Sequence, residues 1–214
     1  MSFDSCSDYS SSDSQDSPTE DYSNPFDEAF MKETEDLVVD YIGFRLRSKF
    51  RQSCLRGLPR EILVPPSQPS NKAINLRNLA TNLEDQHEQL FQQICFKVDL
   101  SESQAKRNFD RIAKEIFTEG NWNWGRIVSL ITFIGVVSHH FVEQERPEMV
   151  CEVIQWLLQF IRVHLITWII EKGGWDGFVA HFNGNKQPKS FWTGVFAMGA
   201  IGAAGITLLA MSNK

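Results

Sequence analysis

The chain is 214 residues long, 42% hydrophobic and 22% charged, enough for one sizeable core with room for a tail at each end. Its four cysteines (Cys6, Cys54, Cys95, Cys151) form no Cys-x-x-Cys pair and no Cys/His ligand spacing. That argues against a disulfide scaffold or a structural zinc site and fits a reducing compartment. The net charge of -6 is unevenly placed: residues 1–30 hold eight acids and no Lys or Arg, which leaves 19 of the 27 acids against all 21 bases elsewhere. No nucleic-acid footprint results, and an acidic, polar start is unlike a signal peptide or a mitochondrial presequence.

Residues 1–30 are Ser/Asp-rich and are read as a disordered tail, since so few apolar groups cannot offset the entropy of ordering them. From Glu33 the pattern turns helical, with Leu37, Val38, Tyr41, Ile42, Phe44 and Leu46 making one apolar face. Acids at its start and Arg45, Arg47 and Lys49 at its end follow the helix dipole. Residues 52–71, with Gly57, Pro59, Pro65, Pro66 and Pro69, read as a long loop. Ile74–Val98 is helical by pattern through Leu76, Leu79, Leu83, Leu90, Phe91 and Ile94, with His87 on the same side. Ser101 and Gln104 form a capping-box pattern ahead of a helix carrying Phe109, Ile112, Ala113, Ile116 and Phe117 to Gly120.

Asn121–Asn123 reads as a turn able to N-cap the next helix. Ile127–Val137 carries no charge and is about half the ~20 residues that span a bilayer, so it is expected as a helix buried on all sides. After Pro147 a second very apolar helix, from Val150 to Ile169, ends at Gly173–Gly174, and a short one follows from Trp175 to Phe182. Strand signals are weak throughout, so the fold class is all-α. Phe191–Met211 differs in kind: it holds 21 uncharged residues, with Lys186 and Lys189 upstream and Lys214 beyond. It is expected to be a C-terminal transmembrane helix, a tail anchor that leaves the domain, residues 31–185, facing the cytosol. No phosphate loop, nucleophile elbow or carboxylate pair points to an enzyme, and none to a cofactor. His139 and His140 are weak metal candidates, because helix neighbours point about 100° apart.

Three stretches together resemble the Bcl-2 family of apoptosis regulators. Asn123-Trp124-Gly125-Arg126-Ile127-Val128 is similar to the family's first homology motif. Trp168-Ile169-Ile170-Glu171-Lys172-Gly173-Gly174-Trp175-Asp176-Gly177-Phe178 is similar to the second, and Glu35 to Leu46 (EDLVVDYIGFRL) to the fourth, found on the first helix of the survival-promoting branch. The third departs from the family's Leu-x-x-x-Gly-Asp: here Leu76 is followed by Ala80 and Thr81. Ala80 keeps a small residue, whereas Thr81 removes a charge that, in the family, pairs from a ligand helix with the Arg matched by Arg126.

The resemblance implies a helical bundle around a buried central helix, and a hydrophobic groove that takes a partner's amphipathic helix. The groove would be lined by Leu83, His87, Leu90, Phe91 and Ile94, then by Ile112, Glu115 and Ile116, and finally by Asn123, Gly125, Arg126, Val128 and Phe133. Arg126 would grip the ligand's carboxylate with two hydrogen bonds, and Gly125 would admit its backbone. The partners implied are pro-apoptotic relatives, bound as heterodimers through their death helices, and a membrane, with the mitochondrial outer membrane ahead of the endoplasmic reticulum. The function implied is anti-apoptotic, with a pore-forming executioner of the same family as the alternative. Trp124, Trp168 and Trp175 are expected to pack, and Cys95 and Cys151 to be inert core thiols.

Overall fold

The computed structural model describes residues 25–98, 100–101, 103–117 and 122–183, and every regular element among them is helical. The expected membrane span and most of the acidic tail lie outside these residues. The first helix, α1 (Pro25–Lys49), starts earlier than the periodicity from Glu33 implies. Proline suits a first helical position, where its missing N–H has no partner to lose. Asp27 and Glu28 occupy the first turn and Arg47 and Lys49 the last. Residues 25–30 therefore belong to the fold and not to a disordered tail. Phe30 explains why: it is buried, and its ring stacks on Trp175 at 6.5 Å.

The stretch expected as a loop over 52–71 is also corrected. It contains a 3-10 turn (Gln52–Leu55) and a one-turn helix, α2 (Arg60–Leu63). Leu55, Leu58 and Ile62 are buried, at three- and four-residue spacing, and fasten this segment to α1. The prolines do not interrupt it, because Pro59 sits at the N-cap of α2 and the others follow its end. Contact is close: Arg47 Nη1 donates to the Ile62 carbonyl, and a Cβ on Gly43 would stand 2.5 Å from that same oxygen.

One helix was expected over 74–98, and the structure has two. Helix α3 (Asn71–Gln86) is capped by Ser70, whose hydroxyl accepts from the Ala73 N–H at 3.1 Å. It stops at His87, where φ is -129° and ψ is 27°, and α4 (Glu88–Lys97) begins immediately after. Helix α5 (Ala105–Ile116) starts a turn later than the capping-box reading places it: Ser101 precedes it, and its carbonyl accepts from the N–H groups of Gln104 and Ala105.

Helix α6 (Trp124–Glu143) is the hub, with every residue from Trp124 to Ser138 buried and α1, α3, α4, α5 and α7 packed around it. Two of its buried hydroxyls are satisfied within the helix, Ser129 Oγ donating to the Gly125 carbonyl and Thr132 Oγ1 to that of Val128, both at 2.8 Å. Helix α7 (Met149–Phe160) continues through a π turn (Ile161–Leu165) into α8 (Ile166–Glu171). Then α9 (Gly174–Asn183) folds back onto α3 and α8. The α6 and α7–α8 helices are each long and apolar enough to cross a membrane, but α6 is 89% buried within the bundle.

Helices α1 and α3 run side by side in the same direction. Three ion pairs stitch them: Lys72 to Glu33 at 2.6 Å, Arg77 to Asp40 at 2.5 Å and Arg45 to Glu84 at 2.7 Å. The last two are bidentate and largely buried, so their cost in desolvation is offset by close geometry.

Candidate functional site

The two tryptophan motifs meet in space. Trp124, opening α6, lies 5.2 Å from Trp168, 6.1 Å from Trp175 and 5.6 Å from Phe178, ring centre to ring centre. Trp175 Nε1 donates to Thr34 Oγ1 at 2.9 Å, and that hydroxyl donates to the Phe30 carbonyl at 2.9 Å, so a buried indole and a buried hydroxyl satisfy each other. The glycines of the second motif have separate tasks. Gly173 (φ 86°) and Gly174 (φ 61°) turn the chain between α8 and α9, and a Cβ on Gly177 would fall 1.8 Å from the Lys172 carbonyl. The tryptophans thus pack the bundle and hold the start of α6 in place.

That start positions Arg126. The Asn123 side chain caps α6, Oδ1 accepting from the Arg126 N–H at 3.0 Å. The Arg126 side chain is 4% exposed and reaches the end of α5, where Nη1 donates to the Ile116 carbonyl at 2.7 Å. The last carbonyls of a helix lack internal partners and carry partial negative charge, which a guanidinium complements. The sequence places Arg126 in the first turn of its own helix, where the dipole opposes it. Folding gives it the favourable end of another helix, which explains how it is tolerated.

The other residues expected around a groove fall on three elements that converge on α6. Leu83 closes the inner face of α3 and is fully buried; His87 is the half-exposed joint to α4, and burial holds its pKa below the ordinary value. On α4, Phe91 and Ile94 are buried and Leu90 is half-buried. On α5, Ile112 and Ile116 are buried and Glu115 is intermediate. Gly125, Val128 and Phe133 are buried on α6, Phe133 seven residues from Arg126 and so on its face, Val128 about 160° around the helix from it. Helices α4 and α5 both rest on α6, as two walls above one floor. Phe91, Ile94, Ile112 and Ile116 are the buried side chains of that seam.

Sequence reasoning missed the polar seam on another side of α6. A cavity of about 380 Å³ lies between α1, α3, α4 and α6, lined by Arg45, Glu84, Phe91, Cys95, His139 and Glu143 among others. Burial pushes the Cys95 thiol up to about 12, which leaves it an inert thiol. Burial and the nearby Arg45 guanidinium hold the His139 imidazole below its ordinary value, against the opposing pull of Glu143, whose carboxylate lies 3.0 Å from Nε2. Arg45 belongs to the first-helix motif, but no local pattern announces a partner 39 residues away. No group of three or more His, Cys, Asp or Glu side chains fit to hold a metal occurs among the described residues.

Residues 76–175 match the profile of apoptosis regulator proteins of the Bcl-2 family. The rat apoptosis regulator BAX is 32% identical over 120 residues, covering 55% of this chain and 60% of that protein. Rat Bcl-2-like protein 1 is 30% identical over 115 residues, covering 54% and 49% respectively. The chain thus spans about half to three fifths of these relatives. Among solved structures, Trichoplax adhaerens trBcl-2L2 bound to the trBak BH3 segment superposes with a TM-score of 0.61 at 28% identity, over 71% of this chain and 98% of that one. Two tryptophan motifs locked into one cluster, a central helix buried on every side and these matches lead to one assignment: the chain carries a Bcl-2 family domain, homologous to BAX and to Bcl-2-like protein 1.

Proposed function

We propose that this chain is a survival-promoting regulator of apoptosis that captures the amphipathic death helices of pro-apoptotic relatives and so restrains permeabilisation of an intracellular membrane. The observation that carries the reading is α3. This helix bears the chain's own third motif, yet Ala73, Leu76, Ala80 and Leu83 are consumed by the core and three ion pairs hold it to α1. Its outward position where the family pattern has Asp is an exposed Thr81. Such a helix is poorly made to be offered as a ligand, whereas the cation that receives a ligand's Asp is present in Arg126. The solved trBcl-2L2 complex holds a BH3 segment, which supports a helix-binding role for the same fold here.

The ligand would lie between α4 and α5 on the α6 floor. Because Phe91, Ile94, Ile112 and Ile116 are closed in, α4 must move aside, and the non-helical joint at His87 is where it would turn. Arg126 would then exchange the Ile116 carbonyl for the ligand's carboxylate. The uncharged segment Phe191–Met211 would hold the domain at the membrane as a tail anchor, its modest length and basic flanks favouring the mitochondrial outer membrane.

A double-mutant cycle tests this. Arg126→Ala should weaken binding of an Asp-bearing death helix by about 2–5 kcal/mol, and the loss should nearly vanish for a ligand whose Asp is Ala. Equal weakening of both ligands sinks the pairing. The executioner reading draws on Gly120-Asn121-Trp122-Asn123-Trp124, a run spaced as in some executioners. It predicts that the purified chain releases dye from liposomes unaided, where a restraining protein should not.

A further inference from the structure

We infer that the cavity between α1, α3, α4 and α6 is a binding site for an uncharged carboxamide carried on an apolar ring. Two helices supply its polar floor. Arg45 on α1, only 6% exposed, lines the cavity together with His139 on α6. Gly135 lies one turn before His139, and a Cβ there would stand 2.9 Å from Arg45 Cδ. The arginine stem therefore crosses α6 on the face that bears the imidazole. Both side chains are held in place, and each is left with one unmatched nitrogen. Arg45 Nε and Nη2 donate to the two oxygens of Glu84 at 2.8 and 2.7 Å, while the buried Nη1 has no partner among the described residues. The His139 ring lies 4.5 Å from that of Phe50, and its Nε2 is 3.0 Å from a Glu143 oxygen. Its Nδ1, also buried, has no partner among the described residues. Buried polar atoms in this state are uncommon and costly, and two of them border one cavity.

The two nitrogens require opposite partners. A guanidinium can only donate. The imidazole is neutral near pH 7, because burial and the Arg45 charge hold its pKa below the ordinary value. With Nε2–H donating to the Glu143 carboxylate, Nδ1 can only accept. A carboxamide answers both, its carbonyl to Arg45 Nη1 and its N–H to His139 Nδ1. Charge disfavours the other classes. The Arg45 charge is matched by Glu84, and the exposed Glu88 and Glu143 outnumber Lys49 at the mouth, so a carboxylate meets repulsion. A cation would face the guanidinium, with both oxygens of Glu84 already engaged. Phe91, Cys95 and Val136 make the remaining wall apolar, which suits a ring. The volume of about 380 Å³ falls among small-molecule pockets, roughly 300–1,000 Å³. Of the residues expected around the helix-binding groove, only Phe91 lines this cavity, so the two sites are separate.

The test uses the full chain in lipid nanodiscs, with 15N-labelled histidine and benzamide as the probe. Benzamide should move the His139 Nδ1 resonance saturably, in the direction of a newly accepted hydrogen bond. Acetophenone keeps the carbonyl but lacks the N–H, and benzoate is charged; each should bind about tenfold more weakly than benzamide. This ligand series is read on the native chain and needs no variant to fold. His139→Phe keeps a ring and removes the acceptor. By ligand-observed NMR it should bring benzamide down to the affinity of acetophenone and leave acetophenone unchanged. Cys95→Phe fills the cavity and should abolish binding of both. No movement of the His139 resonance up to the solubility limit of benzamide would overturn the inference, with water serving the two nitrogens. Equal affinity for benzamide and acetophenone would overturn it too, as would undiminished binding to Cys95→Phe.

Discussion

Arg126 is both a fold residue and a binding residue. Read from its motif, its loss looks harmless to folding, because a cation in a first turn is mildly opposed by the dipole. In the structure it is buried and holds the last turn of α5, so Arg126→Ala is expected to lower unfolding free energy by about 1–3 kcal/mol, the range for orphaning a buried hydrogen-bonding group. Denaturant titration of the variant measures it, and a value near zero would show that Ile116 finds water instead. His139 carries a second residue-scale expectation. Its pKa is held down in the fold, so the unfolded chain binds more protons through the range below about 6.5. The stabilising contribution is present above that pH and is lost as pH falls toward the lower folded value. His139→Gln should flatten the fall in melting temperature between neutral and mildly acid pH. The cap at Asn123 was legible because its pattern is local, and the destination of the Arg126 guanidinium was not, because it lies on another helix.

Most helices were legible from the spacing of their apolar residues, but their ends were not. The period from Leu76 to Ile94 runs on across His87, so nothing in it marks the break between α3 and α4. Pro59, Pro65 and Pro66 drew attention away from Leu55, Leu58 and Ile62, whose three- and four-residue spacing is an element signal in its own right. Removing Ser53–Ser70 looks inexpensive when loop-closure entropy is the only consideration. The buried Ile62 reverses that expectation: Ile62→Ala should cost about 2–4 kcal/mol by calorimetry or denaturant unfolding. A shift within a few tenths of a kcal/mol would return the segment to the status of a linker.

At the scale of the molecule, α1 to α9 close a core of their own, in which the apolar helix α6 is enclosed and to which α7–α8 contributes one face. A chain ending at residue 185 is therefore expected to unfold cooperatively with undiminished helicity per described residue, while losing flotation with neutral vesicles. Persistent flotation would move the membrane contact from the uncharged C-terminal segment to the bundle. The all-helical architecture and its central helix were readable from an uncharged run too short to span a bilayer. The groove was readable only as a set of residues, since whether a seam stands open or shut depends on how two walls pack on a floor. The bond from Trp175 Nε1 to Thr34 carries a further consequence for synthesis, because it joins residues 141 apart in the chain. At roughly 5–20 residues per second the ribosome takes about 7–28 s to make that interval. For that time Phe30 and Thr34 of α1 wait without Trp175, the partner that closes their end of the bundle, and a chaperone has its longest opportunity there.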